Sequence, residues 1–281
     1  MDIDGFIREL PGRYGGDLWA AHPADRRFKP VLDDVPGMAT EHKLVLLNLA
    51  AAHLGPGEAY LEVGAWKGLS LIGAMLGNPS GRFYAMENYL EFGADPKELR
   101  ANLTRWVDED KLTLLEGDCF RMLRQPGQIR HPVGVYFYDA DHGRLSHYLA
   151  LALAEPLLAD RALVVIDDAS WPVVAGPTDR YLATHPGYRL LWRLDVPADE
   201  DPRWWNGLRV YAFERPGRAA GRVGGWPGVD VAWRLAAYRL AYRPFMRLAW
   251  AVLSGRPRLR GLALRLAPTS SRQVGRKGAA R

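Results

Sequence analysis

The stretch Ala59-Tyr-Leu-Glu-Val-Gly-Ala-Trp-Lys-Gly-Leu-Ser70 decides the fold. Its first five residues form a short apolar run of strand character. Two glycines four residues apart, Gly64 and Gly68, then mark a tight turn, and Leu69–Leu76 continues as a helix. A strand, a glycine turn and a helix in that order open a βαβ unit.

Working outward, the alternation repeats. Arg82–Met86 reads as a second strand and Pro96–Val107 as a second helix, with Asp95 at its N-cap. Leu112–Leu115, Val133–Tyr138 and Ala162–Ile166 read as further strands, with a helix over Leu145–Leu158. Tyr188–Leu194 and Leu208–Phe213 close the series, and a helix capped by Thr40 runs from Glu41 to His53. This order predicts an α/β protein with a doubly wound, mostly parallel sheet. Residues 1–57 are expected to form an N-terminal helical cap or substrate segment, and 58–214 the core. Residues 215–281 are expected to be a basic linker, an amphipathic helix over about Asp230–Leu253 interrupted by Pro244, and a disordered end.

Composition narrows the class. The 281 residues are 48% hydrophobic and 25% charged, ordinary for a globular protein. One cysteine, Cys119, excludes an internal disulfide and a cysteine-rich zinc site. The longest runs free of Asp, Glu, Lys and Arg, Leu44–Gly57 and Gly68–Gly81, are 14 residues each, too short for a membrane span. The start Met1-Asp-Ile-Asp4 does not resemble a secretory signal, so a soluble cytoplasmic protein is expected. The net charge of +5 is unevenly placed. Residues 215–281 hold 15 Lys/Arg and one acid, Asp230, a surplus of 14, which leaves −9 on residues 1–214. The basic pI therefore describes neither half, and the acidic body argues against a nucleic-acid partner.

Ligands of open parallel sheets bind beyond the carboxyl ends of the strands. Here those ends read Glu62-Val-Gly, Glu87, Glu116-Gly-Asp118, Asp139-Ala-Asp-His142 and Asp167-Asp168. Any one of these could be a solvated loop acid, but five strand ends in succession suit a ligand with hydroxyls and positive charge, or a divalent metal. Glu87, 19 residues after Gly68, stands where an acid pairs with a ribose diol. A dinucleotide site calls for G-x-G-x-x-G facing a pyrophosphate. Trp66 occupies the place of the second glycine, and Glu62 would repel a pyrophosphate while suiting an ammonium or sulfonium group. Asp139, Asp167 and Asp168 offer hard oxygen ligands that suit Mg²⁺ or a similar cation. His142 next to them reads as a general base or as a loop-fixing histidine.

In their order and spacing these residues resemble the class I S-adenosylmethionine-dependent methyltransferases, and among them the metal-dependent O-methyltransferases of the catechol, caffeoyl-CoA and bacterial sugar or natural-product types. The resemblance covers about residues 38–213 and runs through Glu62-Val-Gly-x-x-x-Gly68-x-Ser70, Glu87, Glu116-Gly-Asp118, Asp139-Ala-Asp-His142, Glu155-Pro-Leu-Leu158 and Ile166-Asp-Asp168 with Trp171. It implies a Rossmann-like seven-stranded sheet and an S-adenosylmethionine cofactor. Glu62, Gly64, Ala65, Gly68 and Ser70 would line the methionine part, and Glu87 the ribose. Asp118 and Cys119 would flank the adenine, and Asp141 would reach the amino-acid end. Asp139, Asp167 and Asp168 would hold Mg²⁺, with Asp139 or His142 taking a proton from the hydroxyl of a small acceptor such as a sugar. Where the family often has two glycines before the fifth strand, this chain has Ala159-Asp-Arg161, which puts that turn in doubt.

Trp171, Trp204 and Trp205 are candidate substrate contacts. For the pair in the acidic loop Asp195–Gly207, the rival reading is that they anchor the loop to the body. The basic segment 230–253 suits either an anionic membrane surface or docking on the protein or on a second copy. A nicotinamide-dependent oxidoreductase and a non-catalytic membrane-associated scaffold are the alternative functions. Trp66 and Glu62 count against the first, and the intact set of acids against the second.

Overall fold

The computed structural model describes residues 1–90, 93–125, 127–217 and 227–245. Along the chain the helices are α1 (Ile3–Arg13), α2 (Lys29–Asp34), α3 (Glu41–Ala52), α4 (Leu69–Met75), α5 (Pro96–Trp106), α6 (Cys119–Met122), α7 (Arg144–Ala154), α8 (Pro172–Thr184) and α9 (Pro227–Ala237). The strands are β1 (Ala59–Val63), β2 (Phe83–Glu87), β3 (Leu112–Glu116), β4 (Val133–Tyr138), β5 (Leu158–Asp167), β6 (Tyr188–Leu194) and β7 (Leu208–Glu214). The described residues fall into two compact units. One lies within Met1–Ala140, Leu153–Ser170 and Pro186–Ala220, the other within Asp141–Ala152, Trp171–His185 and Gly221–Arg281.

The first unit holds a seven-stranded sheet in the order β3-β2-β1-β4-β5-β7-β6. Strands β1 to β5 pair in parallel, and β7 lies antiparallel between β5 and β6. The strand order reverses between β1 and β4, the switch point of a doubly wound sheet. Every residue of β1 and β4 is buried, so these strands read as apolar runs rather than alternations. The edge strand β6 is largely uncovered and carries Arg189 and Arg193. Register then sets the rim. Val63 pairs with Met86 and Tyr138, and Tyr138 with Ile166. One residue further on, Gly64, Glu87, Asp139 and Asp167 therefore form one row.

Phe6, Leu47, Tyr60, Leu71, Phe83, Val135, Phe137, Val165 and Val210 belong to one buried apolar cluster on this side of the sheet. α3 lies within it with every residue from His42 to Ala51 buried. Such a helix carries no amphipathic stripe, and only its N-cap marks it: Thr40 Oγ1 accepts from the Lys43 amide at 3.3 Å. α1 buries Ile3, Phe6 and Leu10, spaced for one helical face, under an Asp2 cap that accepts from the Gly5 amide at 2.9 Å.

Several elements depart from the sequence reading. α1, α2, α6 and α8 are additional helices. α8 begins with Pro172, a favoured first helical residue, and carries a second proline, Pro177, both of which read as breakers in the sequence. β5 starts at Leu158, not Ala162, so Ala159-Asp-Arg161 is strand rather than turn. α7 correspondingly stops at Ala154 and a 3₁₀ turn, Glu155–Leu157, joins it to β5. The expected helix over Asp230–Leu253 begins earlier, at Pro227, and passes into a π turn at Tyr238–Tyr242. Residues 246–253, most of the expected linker 215–228, and the expected disordered end lie outside the described residues.

Candidate active site

The glycine turn after β1 is closed against β4. Gly64 has φ +98°, and a Cβ there would stand 1.8 Å from the Asp139 carbonyl oxygen, so the position admits glycine alone. Gly68, with φ +90°, starts α4 in the left-handed region. Between them Trp66 has φ +45°, a conformation costly for an indole side chain, and its amide donates to Glu87 Oε2 at 2.7 Å. Glu87 Oε1 accepts from the amides of Asn88 at 2.7 Å and Tyr89 at 2.9 Å. A carboxylate offers about four lone-pair directions, so one is spent on holding the turn to the end of β2, two on the amides that follow Glu87, and one remains.

Glu62 is fully buried beneath this turn on the core side. Its carboxyl accepts from the Tyr60 hydroxyl at 2.8 Å and the Ser70 hydroxyl at 2.6 Å, tying β1 to α4. Burial pushes Glu62 up to about 7, while the Ser70 and Tyr60 hydrogen bonds and the Lys43 charge pull it down. Further along the rim, Gly117 has φ +135° and its amide donates to the Glu87 carbonyl at 2.8 Å. Asp118 caps α6 through the Arg121 amide at 3.1 Å, and Cys119 follows, partly exposed.

Beside the switch point three carboxyls meet one ammonium. Lys43, from the first turn of α3, is completely buried, and its Nζ donates to Asp167 Oδ2. Asp167 Oδ1 accepts from the Asp168 amide at 2.9 Å. Asp168 sits in the left-handed region at φ +53°, and its Oδ1 accepts from Asn206 Nδ2 at 2.7 Å. Burial would lower the Lys43 pKa, but Asp167, Asp139 and Asp168 outweigh it and hold Lys43 above the ordinary lysine value. Burial and then Asp167 push Asp139 well above the carboxylate range, against the pull of Lys43. Three carboxylates against one ammonium leave a formal charge of −2, so either one carboxyl keeps a proton or a cation joins the group. The carboxylate oxygens of this group are hard donors of the kind a divalent cation takes. Lys43 was not among the candidate residues. Its one sequence signal is that it is the last charge before the uncharged run Leu44–Gly57.

The acidic loop is fixed from within. Trp204 is fully buried, and its indole N–H donates to the Leu18 carbonyl at 3.1 Å. Its ring packs 5.7 Å from Tyr14 and 5.3 Å edge-on to His42, which burial lowers to about 4 and so keeps neutral. Of the two readings for Trp204, anchoring describes it. Trp205 is partly exposed at φ +58°, and its backbone exchanges two 2.9 Å hydrogen bonds with Asp201.

The second unit contains the remaining candidates. His142 lies edge-on to Trp171 at 5.2 Å, and both are buried. Asp141 Oδ1 accepts from the Gly143 amide at 2.8 Å and from the Tyr242 hydroxyl at 3.4 Å, and Oδ2 accepts from Tyr238 at 3.3 Å. Asp230 accepts from the Tyr148 hydroxyl at 2.7 Å and Arg234 Nε at 2.9 Å, and the Arg234 guanidinium lies over the Tyr148 ring at 4.1 Å. The inner face of α9 and its π turn is thereby docked on the chain's own residues 141–152.

No protein-family model and no curated protein sequence matches the chain. Solved structures do. A Klebsiella pneumoniae protein described as an O-methyltransferase is 18% identical with TM-score 0.51, covering 69% of this chain and 92% of its own. Cofactor-bound Rv0187 from MTB is 21% identical with TM-score 0.52, covering 76% and 97%. The SAH-bound Podospora anserina methyltransferase PaMTH1 is 13% identical with TM-score 0.50, covering 76% and 97%. The sheet order, the switch point and these similarities define the fold: that of the class I methyltransferases, a Rossmann-like seven-stranded sheet with flanking helices.

Proposed function

We propose that this chain is an S-adenosylmethionine-dependent O-methyltransferase, assisted by a divalent cation, that methylates a hydroxyl of a small acceptor such as a sugar or natural product. The observation that carries the reading is the row at the carboxyl edge of the sheet. There Gly64, which admits no side chain, the carboxylate Glu87 with one lone pair left, and the Asp139, Asp167, Asp168 group lie along one rim at the switch point. The similar structure bound to SAH, the demethylated form of that cofactor, supports the same choice.

In this reading Gly64 and Ala65 let the methionine part approach the backbone, with Gly68, Ser70 and buried Glu62 shaping the turn from below. The free lone pair of Glu87 takes a ribose hydroxyl, Asp118 and Cys119 border the adenine, and Asp141 faces the amino-acid end. Asp139, Asp167 and Asp168 would hold Mg²⁺, which when bound would lower the pKa of an acceptor hydroxyl. Asp139 takes the hydroxyl proton; His142, three residues along, is the alternative base. Lys43 pairs with Asp167 and orients it. Holding the acceptor oxygen in line with the methyl group supplies most of the rate gain. Trp171 and Trp205 are left as candidate walls for the acceptor.

Calorimetric titration with S-adenosylmethionine tests this, with NAD⁺ as the control. Wild type should bind S-adenosylmethionine and not NAD⁺. Glu87→Ala, which loses the ribose contact and releases the Trp66 amide, should weaken binding about tenfold or more. Preference for NAD⁺, or no binding of either, overturns the proposal and leaves the likeness one of fold only.

A further inference from the structure

The docked C-terminal helix has a second face. α9 and its π turn are tied to residues 141–152 through Asp230, Arg234, Tyr238 and Tyr242, and Leu235 and Tyr238 are buried. On the other side Val229 is 61% exposed, Trp233 66%, Leu240 81% and Phe245 67%. These are four of the exposed large apolar side chains among the described residues, and the spacing of Val229, Trp233 and Leu240 keeps those three along one side of the helix, with Phe245 beyond them. Isolated exposed apolar residues are ordinary, but four large ones along one helix mark a contact surface.

We infer that this face is a docking surface for an anionic lipid bilayer. Two observations choose that occupant. The first is charge: between residue 231 and the end of the sequence there is no acid, while Arg239 and Arg243 flank the strip and nine further Lys/Arg follow them in sequence. Val, Trp and Leu on one side of a short helix, with Arg beside them and a basic sequence following, match the requirements of a headgroup-level helix. The second is size. The strip presents roughly 500 Å² of apolar surface, short of the ~800 Å² per partner that a standard protein interface buries. A bilayer needs no such area, because insertion of a few side chains adds to attraction by the basic residues. No helix among the described residues is long and apolar enough to cross a membrane, so the contact is with the surface. The inner face then fixes the helix on the protein, and the outer face fixes the protein on lipid.

The test is co-sedimentation of the full-length protein with vesicles of phosphatidylcholine alone or with about one-third phosphatidylglycerol, at low and high salt. The variant Trp233→Asp/Leu240→Asp/Phe245→Asp changes exposed side chains only and keeps every basic residue; circular dichroism checks its fold. Wild type should partition onto anionic vesicles about tenfold or more better than onto neutral ones, and salt and the triple variant should each lower that by a similar factor. Three outcomes overturn the inference: no preference for anionic vesicles, undiminished binding by the folded triple variant, or a wild-type dimer in sedimentation velocity that the triple variant abolishes. The last would give the face to a second copy. None of these readouts involves the cofactor, so the inference stands or falls apart from the proposed reaction.

Discussion

Lys43 and Asp167 form an ion pair whose side chains are 0% and 2% exposed, in a place where water cannot solvate either charge. Taking both out of water is costly, and the pair holds only because each satisfies the other and Asp167 also accepts the Asp168 amide. Removing one partner leaves a buried charge uncompensated. Lys43→Met should therefore cost about 3–5 kcal/mol, read as a lower urea midpoint. Lys43→Met/Asp167→Leu, which removes both charges, should recover a substantial part of the loss. A single variant as stable as wild type, or a double variant no better than the single, would mean that the pair carries no such weight. The lysine was not legible as a site residue because its partner is 124 positions away. Asp139, Asp167 and Asp168 were legible, because each follows an apolar strand.

Between elements, Glu62 is the joint of β1 and α4. Its folded pKa of about 7 lies above the ordinary 4.5, so the folded protein prefers the protonated side chain. That contribution is present in full below about pH 4.5 and is lost as pH rises through 7. The shift corresponds to about 3 kcal/mol between the two limits. Glu62→Gln carries no titrating group. From pH 5 to pH 8 its unfolding free energy should gain on that of wild type by an amount of this order, measured by denaturant titration at each pH. Parallel pH curves for the two proteins would refute the assignment. The elements themselves were legible where signals are local: the Thr40 and Asp95 caps and the apolar runs of β1 and β4 stand where expected. The missed helices α2 and α8 begin beside prolines, and α6 has four residues.

Across the whole molecule, the seven strands and the main apolar cluster lie before residue 215, while the basic surplus lies after residue 214. A chain ended after Gly217 should keep cooperative unfolding, read by denaturant titration, because the sheet and its apolar cluster are intact. It should lose binding to anionic vesicles. Loss of cooperative unfolding would show that α9 is needed by the fold, through Asp230 and Tyr148 on one side and Asp141 on the other.

The sequence by itself determined the βαβ alternation, the parallel sheet and the row of acids at its edge. These rest on short-range facts: apolar runs of strand length, caps, and glycines at turns. Tertiary structure alone decided that the charge of Lys43 lies among those acids, that Trp204 points inward, and that α9 has a docked face and an exposed one among the described residues. Each of these depends on which distant surface removes a side chain from water, and no local pattern encodes that.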